Sequence, residues 1–292
     1  MPGLPKFLNF LAAPPPEFAF EIAADGLAMA RTRSPGSVQE ASLPPGVVVP
    51  SPVKENVLDA FAFAAAVRKL IPAVSGRGRR GAALILPDNS VRIAVLDYET
   101  LPEKEEERRA LIHFRLRKTV PFDVDEAALS YFPQGGGKLL VVLAPAEIIA
   151  HYEAPFRAAG LHPGLITVSS LAMLELLPVK GSIIVAHLSP GTLTVLGVND
   201  GVVTIARSLE LTSDDPQAEI SADLYPTLAY IEDQSGSRPG QLYLAGFGLE
   251  APFATTRLSS DLNIPVEALL EPHPGLSGYL ASLGSGRQAA AA

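Results

Sequence analysis

The sequence predicts an α/β protein made of two related halves, and three observations carry that prediction. Runs of β-branched and apolar residues alternate with longer stretches at helical spacing, the pattern of strands linked through helices. The order of elements in 18–86 returns in 182–269, each half opening with a three-strand meander before helix and strand alternate. Between them, 91–160 changes character to a highly charged helix framed by short strands, a compact α+β block.

Taken in order, 18–31 reads as strand, tight turn at Asp25-Gly26, and strand. A Ser/Pro/Gly loop then leads to a short third strand at 46–49. Val57, Phe61 and Leu70 place a helix over 56–71, stopped by Pro72. A basic glycine loop, 75–81, precedes a buried strand at 82–86. In the middle block, 91–96 is a strand and 102–119 a helix. Glu103, Glu105, Glu106 and Glu107 in its first turns, with Arg115, Arg117 and Lys118 at its end, complement the helix dipole. Ile112, Leu116 and Val120 give that helix a buried stripe. Strands at 127–132 and 139–143 flank Gly135-Gly136-Gly137, and a helix over 147–159 is closed by Gly160. The second half has strands at 182–188, 192–198 and 202–209, with a hairpin turn at Asn199-Asp200-Gly201. A helix over 219–233 bent at Pro226, a strand at 242–244, a helix over 252–261 and a strand at 266–269 follow. Connections through helices predict a mixed, mostly parallel sheet.

Composition narrows the function. With 48% apolar and 18% charged residues among 292, the chain is globular. A net charge of −8 argues against nucleic-acid binding, which needs a basic footprint. Without cysteine there is no disulfide or thiolate chemistry. No apolar run is long enough for a transmembrane segment. Phe7, Leu8, Phe10 and Leu11 form an apolar N-terminal stretch ended by Pro14-Pro15-Pro16, read as a docking tail rather than a secretion signal, with contact to a membrane surface as the alternative.

Several motifs fail in context. Gly76-Arg77-Gly78-Arg79-Arg80-Gly81 matches the dinucleotide fingerprint literally, but a helix precedes it and a strand follows, the reverse of what the chemistry requires. A solvated loop is the better reading, although its arginines suit acidic lipid heads or a partner. Gly137-Lys138 lacks the Ser or Thr of a P-loop. The five histidines, His113, His151, His162, His187 and His273, show no metal-ligand spacing. Asp214-Asp215 before Pro216 reads as a helix N-cap rather than a metal site.

Three segments carry a family resemblance. They are Leu101-Pro102-Glu103-Lys104 with Val120-Pro121-Phe122-Asp123-Val124-Asp125-Glu126; Ala159-Gly160-Leu161-His162-Pro163 with Val168-Ser169-Ser170-Leu171-Ala172; and Leu242-Tyr243-Leu244-Ala245-Gly246-Phe247-Gly248 with Asn263-Ile264-Pro265-Val266. In this order and spacing the chain resembles the PilM family of type IV pilus assembly proteins, which belongs with FtsA to the actin-like ATPase superfamily. The resemblance implies two RNase-H-like domains with an α+β insert in the first. The first domain is then 17–90 plus 161–178, the insert 91–160 and the second domain 179–283, with a tail at 1–16 and a disordered tail at 284–292. The small helical subdomain usual after the third strand of the second domain is expected to be missing.

The resemblance also locates a nucleotide cleft, and the residues there depart from the family pattern. In the first hairpin Glu21 stands for the usual Asp and Ala23 for Gly, ahead of Asp25 and Gly26. In the second, His187 replaces Asp and Ser189 replaces Gly, ahead of Gly191 and Thr192. Histidine is a poor ligand for Mg²⁺, which takes oxygen, and Pro190 removes a backbone donor. Phe247, between Gly246 and Gly248, is expected to fill the base pocket. The expected cleft is therefore degenerate, with no catalytic residue, no metal and no cofactor. The alternative is an active ATP and Mg²⁺ switch held by Glu21 and Asp25.

What the resemblance implies of function is a cytoplasmic scaffold, peripheral at the inner membrane. It would bind the cytoplasmic tail of a PilN-type inner-membrane protein in a groove beside the insert and meet other pilus platform and motor proteins. Val120, Pro121 and Phe122 are the expected partner-binding neighbourhood. The cytoplasmic domain of a GspL-like secretion protein, which shares the insert, is the rival within the superfamily.

Overall fold

The first meander alternates side chains of two sizes. Phe18, Phe20, Ile22, Leu27 and Met29 enter one core, whereas Ala19, Ala28 and Ala30 enter another, because successive strand residues face opposite ways. A computed structural model, which describes residues 15–71, 80–213, 215–236 and 238–290, shows what each face meets.

β1 (Phe18–Ile22), β2 (Gly26–Arg31) and β3 (Ser34–Ser42) pair antiparallel. After α1 (Ala60–Leu70), β4 (Arg80–Leu86) lies parallel to β1. The chain leaves this sheet through a 3₁₀ turn, Asp88–Ser90, into the insert. There β5 (Arg92–Asp97), α2 (Glu105–Leu116), β6 (Ala127–Pro133) and β7 (Lys138–Pro145) make an antiparallel sheet of order β5-β7-β6 with α2 on one face. α3 (Ala146–Ala158) returns the chain to β8 (Leu161–Val168), parallel to β4, so the first sheet reads β3-β2-β1-β4-β8. α4 (Ser169–Ala172) and a 3₁₀ turn lead into the second half. β9 (Ser182–Ser189), β10 (Thr192–Asn199) and β11 (Val202–Glu210) form its meander, and α5 (Pro216–Ser235), β12 (Gln241–Ala245), α6 (Ala251–Leu262) and β13 (Val266–Ala268) complete it in the order β11-β10-β9-β12-β13. The same order in both halves is the duplication that the sequence suggests. The last element, α7 (Pro274–Ala290), crosses back to the first half.

The bulky face of the first sheet packs on α1 and α3. Phe20 meets Phe156 edge-on at 4.9 Å between ring centroids, with Phe63 and Tyr152 adjoining. All four are fully buried, each contributing about 1.5–3 kcal/mol of apolar burial. The alanine face receives α7. Leu276 and Tyr279 lie over Ala19, Ala28, Ala30 and Ala83, and α7 also packs so closely on α4 that a Cβ on Gly278 would overlap the carbonyl of Ala172. The insert also touches the second half. The Gln134 side-chain amide donates to the Val203 carbonyl at 3.0 Å and its oxygen accepts from the Val203 amide at 2.8 Å, so that a side chain continues the ladder beyond the edge of β11.

Several expectations need correction. The third strand is β3, not 46–49. Val48 makes only an isolated bridge to Val57, and the Ser/Pro/Gly stretch read as a loop is an edge strand, where a proline is tolerated. α1 begins at Ala60, capped by Asp59, whose side chain accepts from the Ala62 amide. Its buried stripe is Phe63, Ala66, Val67 and Leu70, while Phe61 is 80% exposed. The two large sheets are mixed but not mostly parallel, since each keeps two antiparallel pairings beside two parallel ones. The strand at 161–168 and the helix α7 went unread. Helix continues to Ala290, where a disordered tail was expected from 284, and α7 packs on the first half, not the second. Other readings hold. Asp200 and Gly201 take positive φ in the hairpin turn, Asp215 caps α5, and Gly160 follows α3 in the left-handed region. Only 211–215 separates β11 from α5. The readings at Phe7, Leu8, Phe10 and Leu11, at Arg77 and Arg79, and at Asp214 lie outside the described residues.

Candidate functional site: an interdomain cleft and an apolar groove

The ends of β1 and β9 face each other where the halves meet, because both lie at the centre of their sheets. A cavity of about 320 Å³ opens there, lined among others by Glu21, Ala23, Asp25, Gly26, His187, Ser189, Pro190, Thr192 and Gly246. Both expected hairpins are thus brought together. Gly191 takes a positive φ at the tip of the second. Phe247 and Gly248 do not line the cavity. The Phe247 ring is buried against Ile184, Leu193, Ala254 and Leu258 in the core of the second half, so it does not fill the base pocket as expected. Gly246 has a packing role, since a Cβ there would lie 2.1 Å from the Leu188 carbonyl.

The buried carboxylates and the imidazole of the cleft bond to the protein itself, whereas the hydroxyls of Ser170 and Thr194 are buried without a hydrogen-bond partner. Glu21 accepts from the Ser169 hydroxyl at 2.7 Å and from the amides of Gly275 at 3.2 Å and Leu276 at 2.7 Å. Its carboxylate thereby caps the first turn of α7, where free amides and the helix dipole favour an anion. His187 Nδ1 lies 2.7 Å from Asp88 Oδ2, and Asp88 Oδ1 accepts from the Ser170 amide at 2.8 Å. Asp88 belongs to the first half and His187 to the second, and both are buried. Burial disfavours charge on each, but their mutual attraction and hydrogen bond prevail. His187 is held above the usual histidine range, with the Glu21 charge adding to the effect, and Asp88 below the usual carboxylate range. Nearby, His273 Nε2 meets Glu40 Oε1 at 2.8 Å. Among the described lining residues there is no Lys or Arg, while Glu21, Asp25 and Glu40 are acidic.

Asp88, Ser169, Ser170, Glu40 and His273 were missed by sequence reasoning. The signal for Asp88 was an acid directly after the buried run of β4, at the C-terminal end of a central strand, where sites in open α/β sheets gather.

A second concavity lies between the insert and the first half. β6 ends the insert sheet and β8 ends the first sheet, and each has a strand neighbour on one side only. The groove between them measures about 560 Å³ and is lined by Val91, Ala128, Phe132, Val142, Ile149 and Ile166, among others. Two half-exposed backbone edges flank an apolar floor, the arrangement to which an extended peptide adds as a strand. None of the three expected partner-binding residues lines it. Val120 and Phe122 pack under α2 against the insert's own core, and Pro121 is exposed.

No protein-family model matches the sequence, and no curated protein matches it. The architecture supplies the class: two mixed five-stranded sheets of one topology, facing across a cleft, with an α+β insert in the first, are an actin-like fold of two domains. Within that class the chain is similar to a solved PilM–PilN type IV pilus biogenesis complex, with 18% identity, 93% of this chain and 98% of that chain covered, and a TM-score of 0.73. A Bacteroides thetaiotaomicron protein with an actin-like ATPase fold and unknown function gives a TM-score of 0.53 at 11% identity, over 90% of this chain and 94% of that one. The cytoplasmic domain of EpsL, an inner-membrane component of the Vibrio cholerae type II secretion system, gives 0.55 at 11% identity, over 92% and 94%.

Proposed function

We propose that the chain is a PilM-like scaffold of a type IV pilus assembly platform, working at the cytoplasmic face of the inner membrane. Its groove between β6 and β8 takes an extended segment of a PilN-type cytoplasmic tail, and other platform and motor proteins meet the assembled pair. The observation that carries this reading is the pair of edge strands, each with a strand neighbour on one side only, flanking an apolar floor. The structural likeness to a PilM–PilN complex supports it. No helix among the described residues is long and apolar enough to cross a membrane; in this reading the PilN-type partner brings the chain to the inner membrane.

The cleft in this reading is a structural joint and takes neither nucleotide nor metal. Glu21 already caps α7, His187 already pairs with Asp88, and the described lining offers polyphosphate no Lys or Arg. Calorimetric titration with a synthetic tail of a PilN-type protein from the same genome tests the groove. A Kd near 1 μM, about −8 kcal/mol, is expected for the wild type and at least a tenfold loss for Ala128→Asp. Absence of heat with that tail would overturn the partner assignment. Mg·ATP binding tighter than about 10 μM, about −7 kcal/mol, would replace the structural joint with the rival reading of an ATP-dependent switch. The type II secretion reading rests on the EpsL likeness, at the lower TM-score, and predicts binding of a secretion-system peptide instead.

A further inference from the structure

Between the cleft and the groove lies one short stretch of chain that serves both. The 3₁₀ turn Asp88–Ser90 presents Asp88 to His187, and Val91, immediately after it, lines the groove. α4 repeats the arrangement: Ser169 bonds Glu21 and Ser170 bonds Asp88 on the cleft side, while Val168 and Leu171 line the groove. The turn is held on its other flank as well. Ser90 Oγ lies 3.0 Å from the Tyr152 hydroxyl, which donates to Asn56 at 3.1 Å, and Asn89 donates to the Pro50 carbonyl. Ser90, Tyr152 and Asn56 are fully buried, so the turn has little freedom to move without carrying its neighbours.

We infer that the His187–Asp88 pair is an interdomain latch that couples closure of the two halves to the shape of the groove. It joins the only buried histidine among the described residues to a fully buried carboxylate of the opposite half. Removing one member leaves the other charged and unpaired in the interior, which drives the cleft open to admit water. Opening withdraws the support behind Asp88–Ser90 and α4, and the groove wall relaxes with it. The latch is sensitive to proton loss from His187. The charged groups facing that imidazole are Asp88 and Glu21; β10 offers Thr194, β12 offers Ala245 and the turn after it Gly246, none of which titrates, and Asp25, Glu40 and His273 line the same cavity. All the facing acids favour the imidazolium, so the latch holds at neutral pH and releases as pH rises.

The coupling depends on the proposed function only in treating the groove as a peptide site, and its test needs no peptide. Because the chain has no cysteine, Leu58→Cys and Leu249→Cys, 58% and 99% exposed in opposite halves, can carry spin labels without background. In the otherwise wild-type protein at pH 6.5 we expect one narrow label-to-label distance, and in His187→Gln a longer and broader one. Amide exchange in 128–132 and 165–168, the groove walls, is expected to speed up about tenfold in the same variant. A stepwise rise in pH on the labelled wild type should produce both changes without any substitution in the cleft, with exchange read as protection relative to the unstructured chain at each pH, which keeps the test decisive where a variant folds poorly. Wild-type distances at high pH and in His187→Gln, or unaltered exchange in the groove while the halves separate, would overturn the inference. Failure of every peptide to bind would leave these results standing and count against the proposed function alone.

Discussion

The cleft and the groove are built from the same two sheets, yet they differ in what their polar groups are doing. In the cleft every buried charge has a partner within the chain: Glu21 with α7 and Ser169, Asp88 with His187 and Ser170. In the groove the backbone edges of β6 and β8 lack a strand neighbour and the floor is apolar. A site whose buried charges are already paired internally has little charge to offer a ligand, whereas a strand edge with a neighbour on one side only gains backbone bonds from an added strand. On the proposed function, that difference places binding at the seam beside the insert and leaves the cleft as a joint between the halves.

The comparison can be broken most forcefully at Asp88. Asp88→Ala leaves the His187 charge buried without its partner and the Ser170 amide without its acceptor, and should cost about 3–5 kcal/mol, read from urea unfolding. Glu21→Ala removes three hydrogen bonds and the cap of α7. A loss of about 1–3 kcal/mol is expected, together with faster proteolysis confined to the C-terminal helix, whereas cleavage spread through the chain would contradict the capping role. The pH dependence sharpens the same point. His187 is raised in the folded state, so its stabilisation is complete below its unfolded pKa of about 6.5 and is lost as pH rises through the folded value. Asp88 is depressed, so its share is present above about 3.9 and lost as pH falls through its folded value. Melting temperature followed across pH should fall on both sides, and the alkaline fall should vanish in His187→Gln. The smallest effect on stability is expected at the groove. Ala128→Asp should shift unfolding by less than about 0.5 kcal/mol while removing peptide binding, separating the groove from the framework.

Much of the framework was legible because it follows from periodicity. The meanders, the charged helix with Ile112 and Leu116 inward, and the Asn199-Asp200-Gly201 turn each announce themselves over a few residues. What escaped was set by distant partners. β3 looks like a loop by composition and is a strand because β2 offers it an edge. Nothing local to Glu21 says that it will cap a helix beginning at Pro274, and nothing near His187 points to Asp88. Both hairpins of the cleft were found from the family resemblance, but the groove-lining residues were not, because Val120 and Phe122 serve the insert's own core and Pro121 is exposed away from the groove. A ring such as Phe247 can turn toward a cleft or a core, and only the packing around Ile184 and Leu258 decides.

The return of α7 to the first half also bears on how the chain is made. The alanine face of β1, β2 and β4 is synthesised well before the helix that covers it, with the whole second half made in between. At translation rates of 5–20 residues per second, the interval between β4 and α7 is roughly ten to forty seconds. For that time a nascent chain carries an uncovered apolar sheet face with Glu21 lacking the helix end it will cap. The first domain therefore reaches completion only after the second has been made, and a helix that follows the second domain acts as the closing piece of the first.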